Sequence, residues 1–209
     1  MGSFRNADGK SVLLKMVKAI QDNKAYLGEV DGLIGDGDHG MNMNKGFTVF
    51  ESRYGAKDFT FSEGLEGLGT VLFNEIGGSM GPIYGTIFME AARAGEQFDV
   101  IGAAELGCML ETGLNELYDI VEAKVGDKTL VDTLAPAVEV LKNPPGSFKV
   151  TLEQMKKAAE NGRDSTKDMV AKYGRSSRLG ERSRGVLDAG AVSCCIILTA
   201  MADGIIEYL

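Results

Sequence analysis

Asp31, Asp36 and Asp38 stand in the run Asp31-Gly-Leu-Ile-Gly-Asp36-Gly-Asp38-His39-Gly40-Met41-Asn42. In an extended loop, side chains two residues apart point the same way, so Asp36 and Asp38 can face one point. Asp31, at the end of a preceding helix, can join them through a turn at Gly35. Three carboxylates gathered in this way repel one another unless a cation sits among them. An all-oxygen donor set selects a hard cation, Mg2+ or Ca2+. An EF-hand is excluded, because the fifth and twelfth positions counted from Asp36 are Gly40 and Phe47. The plain alternative is an ordinary turn rich in Asp and Gly. The third aspartate, the following His39-Gly40-x-Asn42 and further glycine clusters argue against it. His39, the sole histidine, is open to three roles: catalytic base, metal ligand, or local packing and hydrogen bonding. Without a known partner the last is the plainest. Asn42 either orients a phosphate or a metal-bound water, or caps the helix that starts there.

A second glycine cluster, Gly77-Gly78-Ser79-Met80-Gly81-Pro82-Ile-Tyr84-Gly85-Thr86, leads into a helix. Free backbone N–H groups at a helix start, preceded by small residues, suit an anion. The chain has no Walker A loop and no G-x-G-x-x-G after a strand. Taken alone, each cluster reads equally as close helix packing or a left-handed turn. Arg175, Arg178, Arg182 and Arg184 crowd a loop that ends in Asp188-Ala189-Gly190. In an acidic protein, such a cluster fits either a nucleotide diphosphate or a solvated loop with Glu181 as partner.

Helices must position these loops. Leu13, Val17, Ile20, Leu27 and Val30 fall on one helical stripe. Ser62 can cap a helix through Leu65, Leu68 and Leu72, and Pro82 suits the first turn of the next, which runs to about Ala94. Further helices are expected over about 101–123 and 130–141, with Pro136 marking a kink or a late start. Asn143-Pro144-Pro145-Gly146 is a helix–helix loop. Thr151 and Gln154 read as a capping box for a helix running to about Tyr173, and Gly174–Asp188 reads as a loop. Residues 189–209 read as a buried closing helix, too short and too interrupted for a membrane span. About eight helices and no convincing strand make an all-α bundle with Gly-rich loops, read as a single domain over residues 1–209.

Composition excludes several classes. The 209 residues carry a net charge of -8, which argues against a nucleic-acid partner. Three cysteines, two of them adjacent, do not build a disulfide framework, so a reducing cytoplasm is expected. No signal-peptide core is evident over residues 1–10, and one histidine leaves almost no material for a Cys/His zinc site.

Taken together, four ordered motifs resemble the ADP-binding L subunits of dihydroxyacetone kinases and the corresponding C-terminal domain of single-chain dihydroxyacetone kinases. They are Asp31-x4-Asp36-Gly-Asp38-His39-Gly40-x-Asn42-Met43, Gly77-Gly78 through Thr86, Gly126-Asp127-Lys128-Thr129-x-x-Asp132, and Leu179-Gly180-Glu181-Arg182-Ser183. The resemblance covers nearly the whole chain. It implies a barrel of eight antiparallel helices with ADP or ATP capping the loop end, and two Mg2+ ions bridging Asp31, Asp36 and Asp38 to the diphosphate. His39, Gly40, Met41, Asn42, Ser79, Met80, Leu130, Arg175, Asp188, Ala189 and Gly190 match nucleotide-contacting positions. It further implies a cytoplasmic phosphotransferase subunit that keeps ADP as a cofactor. An M-type phosphoryl carrier of the sugar phosphotransferase system rephosphorylates that ADP. The γ-phosphoryl then passes to a short ketose held covalently by a histidine of a separate K-type subunit.

The chain departs from the family pattern around that site. Met80 replaces a hydroxyl residue, Arg178 a tyrosine, Val121 a glycine, Val186 a histidine and Ala189 a proline. These changes leave the metal ligands whole and alter the nucleotide shell and partner face, as in a paralogue serving another short sugar such as a tetrulose. An active phosphotransferase subunit is one reading. A nucleotide-loaded interaction protein, reporting phosphorylation state to a transcriptional regulator, is the other.

Overall fold

The computed structural model describes residues 2–209. Nine α-helices are present among them: α1 Lys10–Asp22, α2 Lys24–Ile34, α3 His39–Tyr54, α4 Phe61–Glu75, α5 Met80–Gly95, α6 Ala103–Ile120, α7 Val131–Lys142, α8 Phe148–Ser165 and α9 Ala189–Ile206. Eight of them close into an antiparallel ring. Each packs on the next in the order α1, α3, α4, α5, α6, α7, α8, α9, and α9 returns to α1. The expected barrel of eight antiparallel helices is therefore what forms. Helix α2 is the additional one, lying against α3 and α9.

The apolar stripe Leu13–Val30 is split between α1 and α2. The chain leaves helical geometry at Asn23 (φ -99°, ψ 8°), whose side-chain amide donates to Ala19 O at 2.8 Å. Asn competes with the helix through such local bonds. Both halves still bury their apolar residues: Leu13, Val17, Ile20 and Leu27 are fully covered. The ring interior holds Phe47, Phe50, Phe61, Leu65 and Leu68, all at 0% exposure. Each contributes about 1.5–3 kcal/mol by leaving water. Contrary to the sequence reading, Ala189–Ile206 is by length and composition apolar enough to cross a membrane, but 72% of it is buried in this core, as expected of the closing helix.

Several local expectations are corrected. Thr60, not Ser62, caps α4, accepting from Glu63 N at 3.1 Å while Thr60 N donates to Glu63 Oε2 at 2.7 Å. Ser62 lies inside the helix, buried against Asn6, which donates to its Oγ at 3.0 Å. Ser147 caps α8, and Thr151 lies one turn inside, donating to Ser147 O at 3.0 Å. Helix α8 stops at Ser165, short of Tyr173. There Ser165 and Thr166 turn their hydroxyls back onto Gly162 O and Arg163 O, and a short 3-10 turn follows. Residues Arg175–Ser183 form 3-10 turns broken at Gly180, not an irregular loop. A two-residue strand pair, β1 Phe4–Arg5 with β2 Val100–Ile101, was not anticipated. It ties the N-terminal segment to the turn before α6.

Candidate functional site

The antiparallel ring dictates one chemical consequence. Helices α3, α5, α7 and α9 all begin at one end, alternating with the C-terminal ends of α4, α6 and α8. A cleft of about 850 Å3 opens there. Unsatisfied N–H groups of helix starts attract anions. At three of the four starts the residue before the helix, Asp38, Ser79 or Leu130, makes no side-chain cap, although His39 N and Val131 N donate to Asp31 Oδ2 and Thr129 Oγ1. Only α9 is capped, by Asp188, which accepts from Ala191 N at 2.8 Å.

The three aspartates meet at this mouth. Gly35 N donates to Asp31 O at 2.6 Å, ending α2. A Cβ on Gly35 would lie 2.3 Å from Asp31 Oδ1, so only glycine leaves room for that carboxylate under the turn. Gly37 takes φ +78°, reversing the chain between Asp36 and Asp38. Oxygens of all three carboxylates then lie within 4.8 Å of one another. Asp38 occupies the capping position of α3 without capping it, leaving its carboxylate free, and His39 N donates to Asp31 Oδ2 at 3.3 Å. Arg175 brings its guanidinium onto Asp36, with Asp38 at 3.7 Å. The positive charge these carboxylates require is thus supplied by a side chain. The donor set, hard carboxylate oxygens from three residues brought together, fits Mg2+.

Of the residues matched to nucleotide contacts, His39, Asn42, Ser79, Met80, Leu130, Arg175, Asp188, Ala189 and Gly190 line the cleft. Gly40 and Met41 do not. Gly40 is buried against α2, where a Cβ would sit 2.1 Å from Lys24 O, and Met41 is 62% exposed. Gly78, at φ +71°, and Gly77 face open space, leaving backbone at the surface of the cleft. Leu117, Val121, Leu130 and Ile83 add an apolar wall. Among the four arginines of the 175–184 turns, only Arg175 lines the cleft, while Arg184 pairs with Glu181 at 3.0 Å.

Three residues were missed as site components. Lys128 lines the cleft, is 1% exposed and sits at φ +61°, but its ammonium is held by Thr166 O and Val186 O, to which it donates. Burial lowers its pKa, against the pull of Asp188 and Asp132. Tyr84 and Ser193 form the other unanticipated feature. Ser193 Oγ lies 2.8 Å from His39 Nε2 and 2.6 Å from Tyr84 OH. Burial pushes the His39 imidazole down to about 4, so it is neutral at pH 7. A lone Ser in the apolar run of α9 was the available signal.

Burial raises the Asp188 carboxyl to about 6, opposed by the Ala191 N–H and Lys128. A raised folded-state pKa stabilises the fold fully below the unfolded value near 4, and that contribution is lost as pH rises through about 6. Two units are worth about 3 kcal/mol, and partial exposure to the cleft reduces this to about 1–2 kcal/mol. Asp188→Asn retains an acceptor for the α9 cap. In urea titrations without ligand, it should gain about 1–2 kcal/mol over the parent at pH 7 and lose that advantage by pH 4.5. A pH-independent difference between the two would contradict the assignment.

The family profile described as "DAK2 domain" matches residues 33–203. The chain is 38% identical over 183 residues to the ADP-binding subunit DhaL of the PEP-dependent dihydroxyacetone kinase of Escherichia coli K12, covering 85% of this chain and 86% of that protein. It is 33% identical over 183 residues to the corresponding subunit of kinase 1 of Listeria innocua, covering 87% and 88%. It is also 30% identical over 202 residues to the D-erythrulose kinase of Mycolicibacterium smegmatis, spanning 90% of this chain and 33% of that one. In fold it matches the crystal structure of the dihydroxyacetone kinase of C. freundii, with a TM-score of 0.75 at 24% identity over 96% of this chain and 35% of that one.

Proposed function

Because the chain belongs to the DAK2-domain family of dihydroxyacetone kinase L subunits, we propose that the whole chain acts as one nucleotide-holding domain and that its cleft binds Mg-ADP and Mg-ATP. The observation that carries this reading is the meeting of Asp31, Asp36 and Asp38 at a mouth where four helices begin. Asp31, Asp36 and Asp38 would hold the Mg2+, two ions in all, which neutralises diphosphate charge when bound. The N–H groups opening α3 and α5 would bind phosphate oxygens, and Arg175 would turn from the carboxylates to the phosphates. Leu117, Val121, Ile83 and Leu130 would pack on the base.

Phosphoryl transfer asks mainly for positioning and charge neutralisation. This chain supplies both for a nucleotide. The γ-phosphoryl would pass to dihydroxyacetone or a related short ketose carried by a K-type subunit, with an M-type carrier restoring ATP in place, in a cytoplasmic system. Leu33, Met41, Phe73, Ile120 and Val125 stand exposed at or next to the helix ends around the mouth, an apolar collar suited to protein partners. The same collar favours a second role, presenting the nucleotide state to a transcriptional regulator.

Protein purified without chelator should carry ADP. Denaturation followed by anion-exchange chromatography of the supernatant should recover close to one nucleotide per chain, and elemental analysis should find magnesium. Protein that is empty, and stays empty in micromolar ADP with Mg2+, would rule the reading out.

A further inference from the structure

His39 opens α3, Tyr84 lies in the first turns of α5, and Gly190 and Ser193 open α9, so one buried polar cluster joins three of the helix starts that ring the cleft. Ser193 Oγ lies 2.8 Å from His39 Nε2, 2.6 Å from Tyr84 OH and 3.1 Å from Gly190 O, and Tyr84 OH lies 3.2 Å from Gly190 O. Among the described residues no buried side-chain nitrogen or oxygen lacks a partner. His39 Nδ1 makes no hydrogen bond among the described residues, so it is the ring atom left accessible in the cleft that His39 lines.

Three protons are shared among Tyr84, Ser193 and a neutral imidazole. With nothing accepting in the cleft, the arrangement that satisfies most partners points inward. His39 Nε2–H donates to Ser193, Ser193 donates to Gly190 O, and Tyr84 donates to Ser193, which makes three bonds and leaves a lone pair on Nδ1. A phosphate oxygen cannot face that lone pair without repulsion. The outward arrangement has Tyr84 donating to Ser193 and Ser193 donating to His39 Nε2, with the ring proton on Nδ1. It makes two internal bonds and one to the ligand. The 2.6 Å Tyr84–Ser193 contact needs a proton between its oxygens, and once Ser193 donates to His39, Tyr84 alone can provide it.

We propose that Tyr84 and Ser193 are positioning residues that turn His39 into an Nδ1–H donor toward a bound diphosphate, through the ordered chain Tyr84 to Ser193 to His39. The exchange conserves protons: one leaves Nε2 to water as one arrives from water at Nδ1. Hydrogen bonds aligned in one direction polarise and strengthen one another. The inference rests on the reading of the cleft as a nucleotide site.

The experiment uses tag-free, 15N-labelled full-length protein, in which His39 is the sole histidine. Long-range 1H–15N spectra report which ring nitrogen carries the proton, and calorimetry with ADP and Mg2+ reports affinity. The expected result is Nε2–H in nucleotide-stripped protein and Nδ1–H with Mg-ADP bound. Ser193→Ala should leave the loaded imidazole without a single tautomer and weaken ADP about tenfold, the worth of one hydrogen bond. Ser193→Thr, which keeps the hydroxyl, should restore both, and Tyr84→Phe should weaken ADP by about two- to threefold. An Nε2–H tautomer in the loaded parent, or Ser193→Ala with unchanged tautomer and affinity, overturns the inference while leaving the nucleotide reading standing. A parent protein that binds no ADP overturns the nucleotide reading and this inference with it.

Discussion

Asp36→Asn and Asp38→Asn are expected to lose nucleotide while keeping their helices. Each removes one of the three charges that gather within 4.8 Å at the cleft mouth. Changing even a residue behind a metal ligand costs ten- to a hundredfold in metal affinity, so loss of a ligand charge should weaken Mg-ADP by at least about a hundredfold. Neither carboxylate caps α3, so the fold loses no hydrogen bond that would melt it. The clean readout is the stabilisation that ligand adds. At a hundred times its dissociation constant, Mg-ADP stabilises the parent by about 2.7 kcal/mol. In a chain of this size that raises Tm by about 5–10 °C. The variants should show almost none of that rise, and the empty variants should melt close to the empty parent, since relieved carboxylate repulsion offsets the exposed pairing with Arg175 that is lost. An undiminished ligand-induced rise in both would sink the metal assignment.

Phosphoryl transfer to a ketose should be absent for the protein alone and appear when a K-type partner is added. The cleft's basic side chains are already assigned. His39 Nε2 is engaged by Ser193 while its Nδ1 faces the position given to the diphosphate, and the Lys128 ammonium is committed to two backbone carbonyls. Asp188 is occupied as the cap of α9. Without a site for the second substrate the reaction stays bimolecular in dilute sugar, a disadvantage of at least about a thousandfold against an oriented pair. ATP-loaded protein mixed with dihydroxyacetone or erythrulose, with and without the partner, tests this by the appearance of sugar phosphate. The exposed arginines Arg178 and Arg182 beside the mouth should make the partnered reaction salt-sensitive. Stoichiometric transfer without the partner would reveal a sugar site in this chain.

The metal loop was legible because its logic is local. Asp36 and Asp38 alternate with glycines, and Asp31 sits one helical turn before the break. The ring was legible from apolar stripes of helical period separated by Gly-rich turns. Caps were less so. Ser62 and Thr151 have capping chemistry, yet Asn6 and the Ser147 carbonyl claim their hydroxyls inside helices. The β1–β2 pair is two residues long, too short for alternation to register. Ser193 and Lys128 were out of reach for another reason. Their bonds to His39 and Val186 span 154 and 58 residues, and only the closed ring brings those partners together.

The pairing of Phe4 with Ile101 also determines how the molecule can be held. Tyr208 OH donates to Asp8 O at 2.8 Å, and Gly2 lies against Leu209, so residues 2 and 209 meet beside the start of α6. That start is the far end of an 18-residue helix, about 27 Å long, whose other end lines the cleft. A linker, dye or sensor surface attached at either end therefore leaves the nucleotide mouth pointing into solution. Tethered this way, the protein becomes an oriented probe. Soluble partners can be read as they arrive at the open mouth, and one that fails to bind cannot be excused by the anchor standing in its way.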